Sequence, residues 1–138
     1  MDSPDAITTL ALVLPSMAPL PAKEGAALAL RNLALETSSR ATMLLCTDMI
    51  PALLQPLRPP HAAATDALRG ACADTIASLA ADDCGRQALW AAGAVKLLEQ
   101  CYEAEPDDGS SVSTALERAV RKCLHASRLS QFALWSGH

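Results

Sequence analysis

The chain aligns with itself at a spacing of about 43 to 46 residues, and this internal repeat limits what it can fold into more than any other feature. A period of that size belongs to chains built from units that cannot bury their apolar faces alone and must stack on one another. Three stretches share one pattern, namely 25–34, 71–80 and 115–124. Superposed, they put Ala26, Cys72 and Leu116 in one column, Leu30, Ile76 and Val120 in a second, and Leu33, Leu79 and Cys123 in a third. The columns stand four and then three residues apart, which places them on one side of a helix. Each stretch therefore reads as an amphipathic helix with the same buried stripe.

A second set of columns precedes each of these helices: Ile7-Leu10-Leu14, Ile50-Leu53-Leu57 and Val95-Leu98-Tyr102, again at helical spacing. A third set follows them, in Met43-Leu44-Leu45, Ala88-Leu89-Trp90 and Ala133-Leu134-Trp135. Proline-bearing connections, Pro15 to Pro21, Pro59-Pro60 and Pro106 to Gly109, separate the second and third helix of every unit. Proline lacks an amide hydrogen and disfavours helical geometry in the residue before it, so it stops one helix and lets the next begin. Three helices per unit follow, one short and two longer, in approximate units 4–47, 48–92 and 93–136. Alanine and leucine dominate, while strand-favouring residues are sparse and show no sustained alternation, so the chain is expected to be all-α.

Charge and cysteine content exclude several classes of function. Residues 1–60 carry four basic and five acidic groups, residues 61–109 three and nine, and residues 110–138 four and one. The basic tail of Arg118, Arg121, Lys122 and Arg128 is too small, in an acidic chain, for a nucleic-acid footprint. Five cysteines lie at wide gaps with no C-x-x-C pair and no histidine at ligand spacing, so we expect no metal site and read them as small buried hydrophobes in a reducing compartment. The opening residues are acidic where a secretory leader is basic, and no run reaches the roughly 18 apolar residues of a membrane span. A soluble cytoplasmic protein without cofactor is the expectation.

No constellation of catalytic residues stands out. Asp82-Asp83 and Asp107-Asp108 are adjacent loop carboxylates without the apolar surroundings that would tune one of them for acid–base work, and Asp82 or Asp83 is expected to cap the helix that follows. The acidic run Glu99, Glu103, Glu105, Asp107 and Asp108 reads as solvated, or as facing a basic partner. His125 closes the last buried stripe and reads as structural. Phosphate loops and nucleophile elbows are both missing, so an enzyme is not expected. Trp90 and Trp135, at equivalent places in the repeat, are expected to pack unit against unit.

These residues resemble the armadillo repeat, most specifically Ala29-Leu30-Arg31-Asn32-Leu33-Ala34, similar to the family's third-helix pattern, and Trp90 to Leu98, similar to its first-to-second helix junction. The likeness covers nearly the whole chain and implies an α-α superhelix of about three three-helix repeats; the two-helix HEAT repeat remains an alternative for parts of it. Gly93 suits a sharp turn needing a left-handed residue, and Asp48 takes the matching place one unit earlier. Pro56 falls inside the second helix of the middle unit and is expected to shorten or kink it, by clashing with the carbonyl of Ala52.

The resemblance further implies a non-catalytic scaffold or adaptor holding another protein on the concave side of the third helices. The family's groove asparagine matches Asn32, with Ser78 and Lys122 at the equivalent places. The tryptophan that nuclear-import receptors of this fold carry one turn earlier is replaced by Leu28, Asp74 and Arg118, which argues against a receptor of that kind. Leu28 is the expected apolar anchor. Ser3-Pro4 reads as the start of a second helix, so the opening unit lacks its first, and Phe132-Ala133-Leu134-Trp135 reads as the first helix of a fourth unit. Neither end shows a polar cap. The second expectation is accordingly a structural subunit or a piece of a longer solenoid, docking or self-associating through ends that include Phe132, Leu134 and Trp135.

Overall fold

A computed structural model describes the backbone of residues 4–58, 64–105 and 111–136, and the side chains within them except at 4–5 and 125–136. The described residues form eight α-helices and no strand: α1 (Pro4–Val13), α2 (Leu20–Leu33), α3 (Thr37–Leu45), α4 (Met49–Leu54), α5 (Asp66–Leu79), α6 (Asp83–Ala91), α7 (Ala94–Ala104) and α8 (Ser111–Ser136). The chain is all-α, as its composition and periodicity imply. No helix of the described residues is long and apolar enough to cross a membrane.

Helix boundaries follow local chemistry. Pro19 stands at the N-cap of α2 with Pro21 in its first turn, where the missing amide hydrogens would have no partner within the helix. Thr65 caps α5, its hydroxyl accepting from the Leu68 amide at 3.2 Å. Gly93 joins α6 to α7 with φ of +74°, a left-handed conformation that a Cβ would strain. Asp48 does not repeat this turn: its backbone is right-handed, and the chain leaves α3 through an extended Cys46 instead. Pro56 ends α4 at Leu54, and the chain continues as a 3-10 turn over Gln55–Leu57. The connections 59–63 and 106–110, with Pro59, Pro60, Pro106, Asp107 and Asp108, lie outside the described residues.

The core runs through all the helices. Helix α5 packs against α2 on one flank and α8 on the other, α1 packs on α2 and α4, α7 on α8, and the short helices α3 and α6 on each other. Alanine makes this closeness possible: Ala71, Ala73 and Ala77 of α5, Ala26 and Ala27 of α2, and Ala115 and Ala119 of α8 are all buried. Most column residues are buried with them, but Leu10, Leu33, Leu44, Ala88 and Val120 only in part, and Leu45 and Trp90 are exposed. On α7 the stripe turns to Cys101, leaving Tyr102 37% exposed. Helix α8 continues unbroken through Ser136, so 130–136 extends it and forms no separate short helix.

Two arginines, 46 residues apart, hold the ends of α2 and α5 in the same way. At the end of α2, Arg40 Nη1 donates to the Ala34 carbonyl at 2.9 Å, and at the end of α5, Arg86 Nη1 donates to the Ala80 carbonyl at 3.0 Å. Each places a cation at a helix C-terminus whose carbonyls lack partners within the helix. Arg40 also donates from Nε to Asp82 at 2.8 Å. Asp82 thus stands at the N-cap of α6 with its carboxylate turned to the preceding unit and no cap bond made, while Asp83 pairs with Arg86. The expected capping role gives way to a charge-assisted bond between units. Gly85 lets α6 pass against the end of α5, where an added Cβ would fall 1.7 Å from the Leu79 carbonyl oxygen. Ser39 holds the equivalent place on α3, buried, with its hydroxyl unpartnered.

Candidate functional site

The six groove positions fall on three neighbouring helices. Leu28 and Asn32 lie one turn apart on α2, Asp74 and Ser78 on α5, Arg118 and Lys122 on α8. All are exposed or half-buried, whereas the stripes on the other sides of the same helices hold core. Leu28 is 38% exposed. Among the described residues, the side chains of Asn32, Ser78 and Lys122 make no hydrogen bond or ion pair and so present free donors and acceptors.

Asp74 and Arg118 do not share that freedom. Arg118 Nη1 stands 3.4 Å from Asp74 Oδ1, bridging α5 and α8. The oxygen is shielded from water and the approach is too oblique for a hydrogen bond, so the contact is an ion pair alone. This changes the reading of Arg118: reversing its charge would set two carboxylates against each other, one with a buried oxygen, and would disturb the stack as well as the surface.

A second polar cluster was not legible as such. Arg69, on the stripe of α5, forms an ion pair with Glu105 just past α7, with side-chain exposures of 6% and 10%. Asp66 lies 3.8 Å from the same guanidinium, and Arg69 Nε has no partner. Glu105 is therefore not part of a solvated acidic run. Beside it a shallow cavity of 220 Å3 is lined by Tyr102, Glu103, Glu105 and Ser113. The signal available in sequence was a basic residue standing between buried Leu68 and Ala71.

The cysteines divide by burial. Cys72, Cys101 and Cys123 are buried, Cys46 half-buried and Cys84 exposed, so Cys84 departs from the expectation of buried hydrophobes. Burial pushes the Cys72 thiol up to about 12 and the Cys123 thiol up to about 11, the latter against a lowering by Arg86. Burial also raises Cys101, opposed chiefly by Arg69, and its thiol donates to the Leu57 carbonyl at 3.0 Å. Such thiols are poor nucleophiles and poor metal ligands. No group of three or more histidine, cysteine or carboxylate side chains among the described residues is placed to hold a metal.

Trp90 reaches from α6 to α8, its indole N–H 3.4 Å from the Cys123 carbonyl, while 44% of the residue stays exposed. The side chains of His125, Phe132, Leu134 and Trp135 lie outside the described residues, although the helix carrying them is placed. Compared with protein-family models, with curated proteins and with solved structures, the chain matches none.

Proposed function

We propose that this chain is a non-catalytic protein-binding scaffold of armadillo-repeat type, holding an extended partner across α2, α5 and α8 in a reducing, cytoplasmic setting. The observation that carries the reading is the shared exposed face of those three stacked helices, with unpaired Asn32, Ser78 and Lys122 along it and Leu28 at its edge. The order of α6, α7 and α8, a short helix followed by two longer ones, supports the three-helix pattern of that repeat, while in the preceding unit α3 is followed by the still shorter α4, cut off before Pro56, and then by the long α5. Amide and hydroxyl groups of this kind hold a partner's backbone in register, and an exposed leucine supplies an apolar anchor.

The test is capture of a partner from cell extract by the chain and by an Asn32→Ala, Lys122→Glu double variant, neither residue having a partner to lose. The variant should melt with the parent, since surface substitutions of this kind stay within about 0.5 kcal/mol, and should lose the partner. Exchanging Asp74 and Arg118 for one another adds a second arm, keeping the ion pair while inverting the pattern that a ligand meets. A partner retained equally by both variants removes the groove as the working surface.

A further inference from the structure

The two flanks of the stacked helices are distinguished by what covers them. On α5 the flank of Ala73, Ala77 and Ala80 is buried, and so is the opposite flank of Ala71 and Thr75. On α2 the residues equivalent to the first flank, Ala27 and Ala34, are fully buried, whereas those of the second, Gly25 and Ala29, are exposed and half-buried. On α8 the pattern inverts: Ala115 and Ala119 of the second flank are buried, while Glu117 and Leu124 of the first are half-covered and Arg121 is exposed. Helix α5 packs against both α2 and α8, and the burial of both its flanks, with only the first covered on α2 and only the second on α8, fits one pairing at both junctions, a first flank against the next helix's second flank. The open flank of α2 and the open flank of α8 are thus the unmatched halves of an interface the chain already makes twice.

We propose that a second copy of this chain docks head to tail, the first flank of its α8 against the second flank of α2. Continuity with the internal interface identifies the occupant, because a second copy carries the matching open half among the described residues. The charges on α8 do not forbid it. Glu117 and Arg121 pair at 2.6 Å, so the flank carries no net charge from them. Arg121 also stands where Arg31 stands on α2, whose flank packs on α5 with that arginine half-buried. The α2 side is open to a close approach, since a Cβ on Gly25 would meet nothing within 4 Å. Such a contact joins two different surfaces, so each added copy leaves an open flank at either end and assemblies lengthen with concentration. The inference rests on helix packing alone and can fail while the groove reading stands.

Sedimentation velocity of the 138-residue chain from micromolar to millimolar concentration should show an average mass that keeps rising. Gly25→Arg, which blocks the α2 flank, and Leu124→Lys, which blocks the α8 flank, should each give a monomer with an unchanged helical spectrum. Mixed in equal amounts, the two variants should form a dimer and stop there, each supplying the flank the other lacks. Arg121→Glu repeats the α8 block at an exposed position should Leu124→Lys unfold. A monomer at every concentration overturns the proposal. So does a mixture that stays monomeric, or an α8-flank variant that still dimerises, which would mean symmetric pairing about α2.

Discussion

Gly85→Ala puts the packing of α6 on α5 to a direct test, because helix propensity and packing predict opposite signs. Within an exposed helix, replacing glycine by alanine stabilises by about 0.5–1 kcal/mol. At Gly85 the added carbon would lie 1.7 Å from the Leu79 carbonyl oxygen and 2.8 Å from its carbon, both backbone atoms that cannot rotate away. A carbon–oxygen contact settles at about 3.3 Å or more, so α6 must retreat from the end of α5 by roughly 1.5 Å. That retreat strains packing by about 1–3 kcal/mol and loosens the Arg86 bond to Ala80, a further ~1 kcal/mol. Set against the propensity gain, the net loss is about 1–3 kcal/mol. With an unfolding entropy of about 2.1 cal/mol/K per residue, each kcal/mol lowers Tm by about 3 °C in a chain of this size. Thermal melts followed by circular dichroism should therefore place Gly85→Ala about 3–10 °C below the parent. Gly70→Ala on α5, where a Cβ meets nothing within 4 Å, should melt at or above the parent. If both variants were stabilised alike, the close approach of α6 to α5 would be refuted.

Ile76 is fully buried at the middle of α5, and Ile76→Ala should cost about 2–5 kcal/mol in urea unfolding, with the slope unchanged. Glu105→Ala strands the Arg69 guanidinium inside the protein and should cost about 3–5 kcal/mol, most of it recovered in the Arg69→Met, Glu105→Ala double variant, read from the same unfolding curves. The raised thiols predict alkaline sensitivity. Below the ordinary value of 9.0 both states keep these protons, and above it the unfolded chain ionises first, so each of Cys72 and Cys123 should remove about 1.4 kcal/mol of stability per pH unit until the folded thiols ionise near 12 and 11. Stability measured from pH 8 to 11 should fall, and a Cys72→Ala, Cys123→Ala variant should flatten that fall.

The apolar columns carried most of the fold, because a stripe at three- and four-residue spacing has one helical solution and recurs at the same place in each unit. Pro56 and Gly93 were legible for a similar reason, each having few backbone conformations open to it. The errors lie where a neighbour decides the outcome. Val120 occupies the column of Leu30 and Ile76 yet is only partly buried: α5 packs against both α2 and α8, whereas the described residues place no helix after α8. Tyr102 left its stripe to Cys101, one residue earlier on the same face. Asp82 has the right place and chemistry for a cap, but a guanidinium 42 residues back outcompetes its local amides. The Asp74–Arg118 pair is hidden in the sequence, because two charges 44 residues apart in one column look like two separate surface groups until α5 and α8 are set side by side. Arg40 and Arg86 were detectable in principle, standing 46 residues apart, but only if the period is sought among polar residues too.

The reach of Arg40 bears on how the chain comes apart. One guanidinium grips the terminal carbonyl of α2, the Thr37 hydroxyl on α3 and the Asp82 carboxylate at the head of α6. In a protein stacked along one dimension, each unit's fate depends on its own stability and on its coupling to the next, and weak coupling lets the ends fray while the middle survives. Arg40 strengthens that coupling at the point where the first helices hand over to the last. Fraying of α6 withdraws the anion that orients Arg40, which loosens its hold on the Ala34 carbonyl, 48 residues before Asp82 in the chain. Loss of order at the head of α6 is thereby felt at the end of α2, and the helices that meet at Arg40 are coupled in their unfolding.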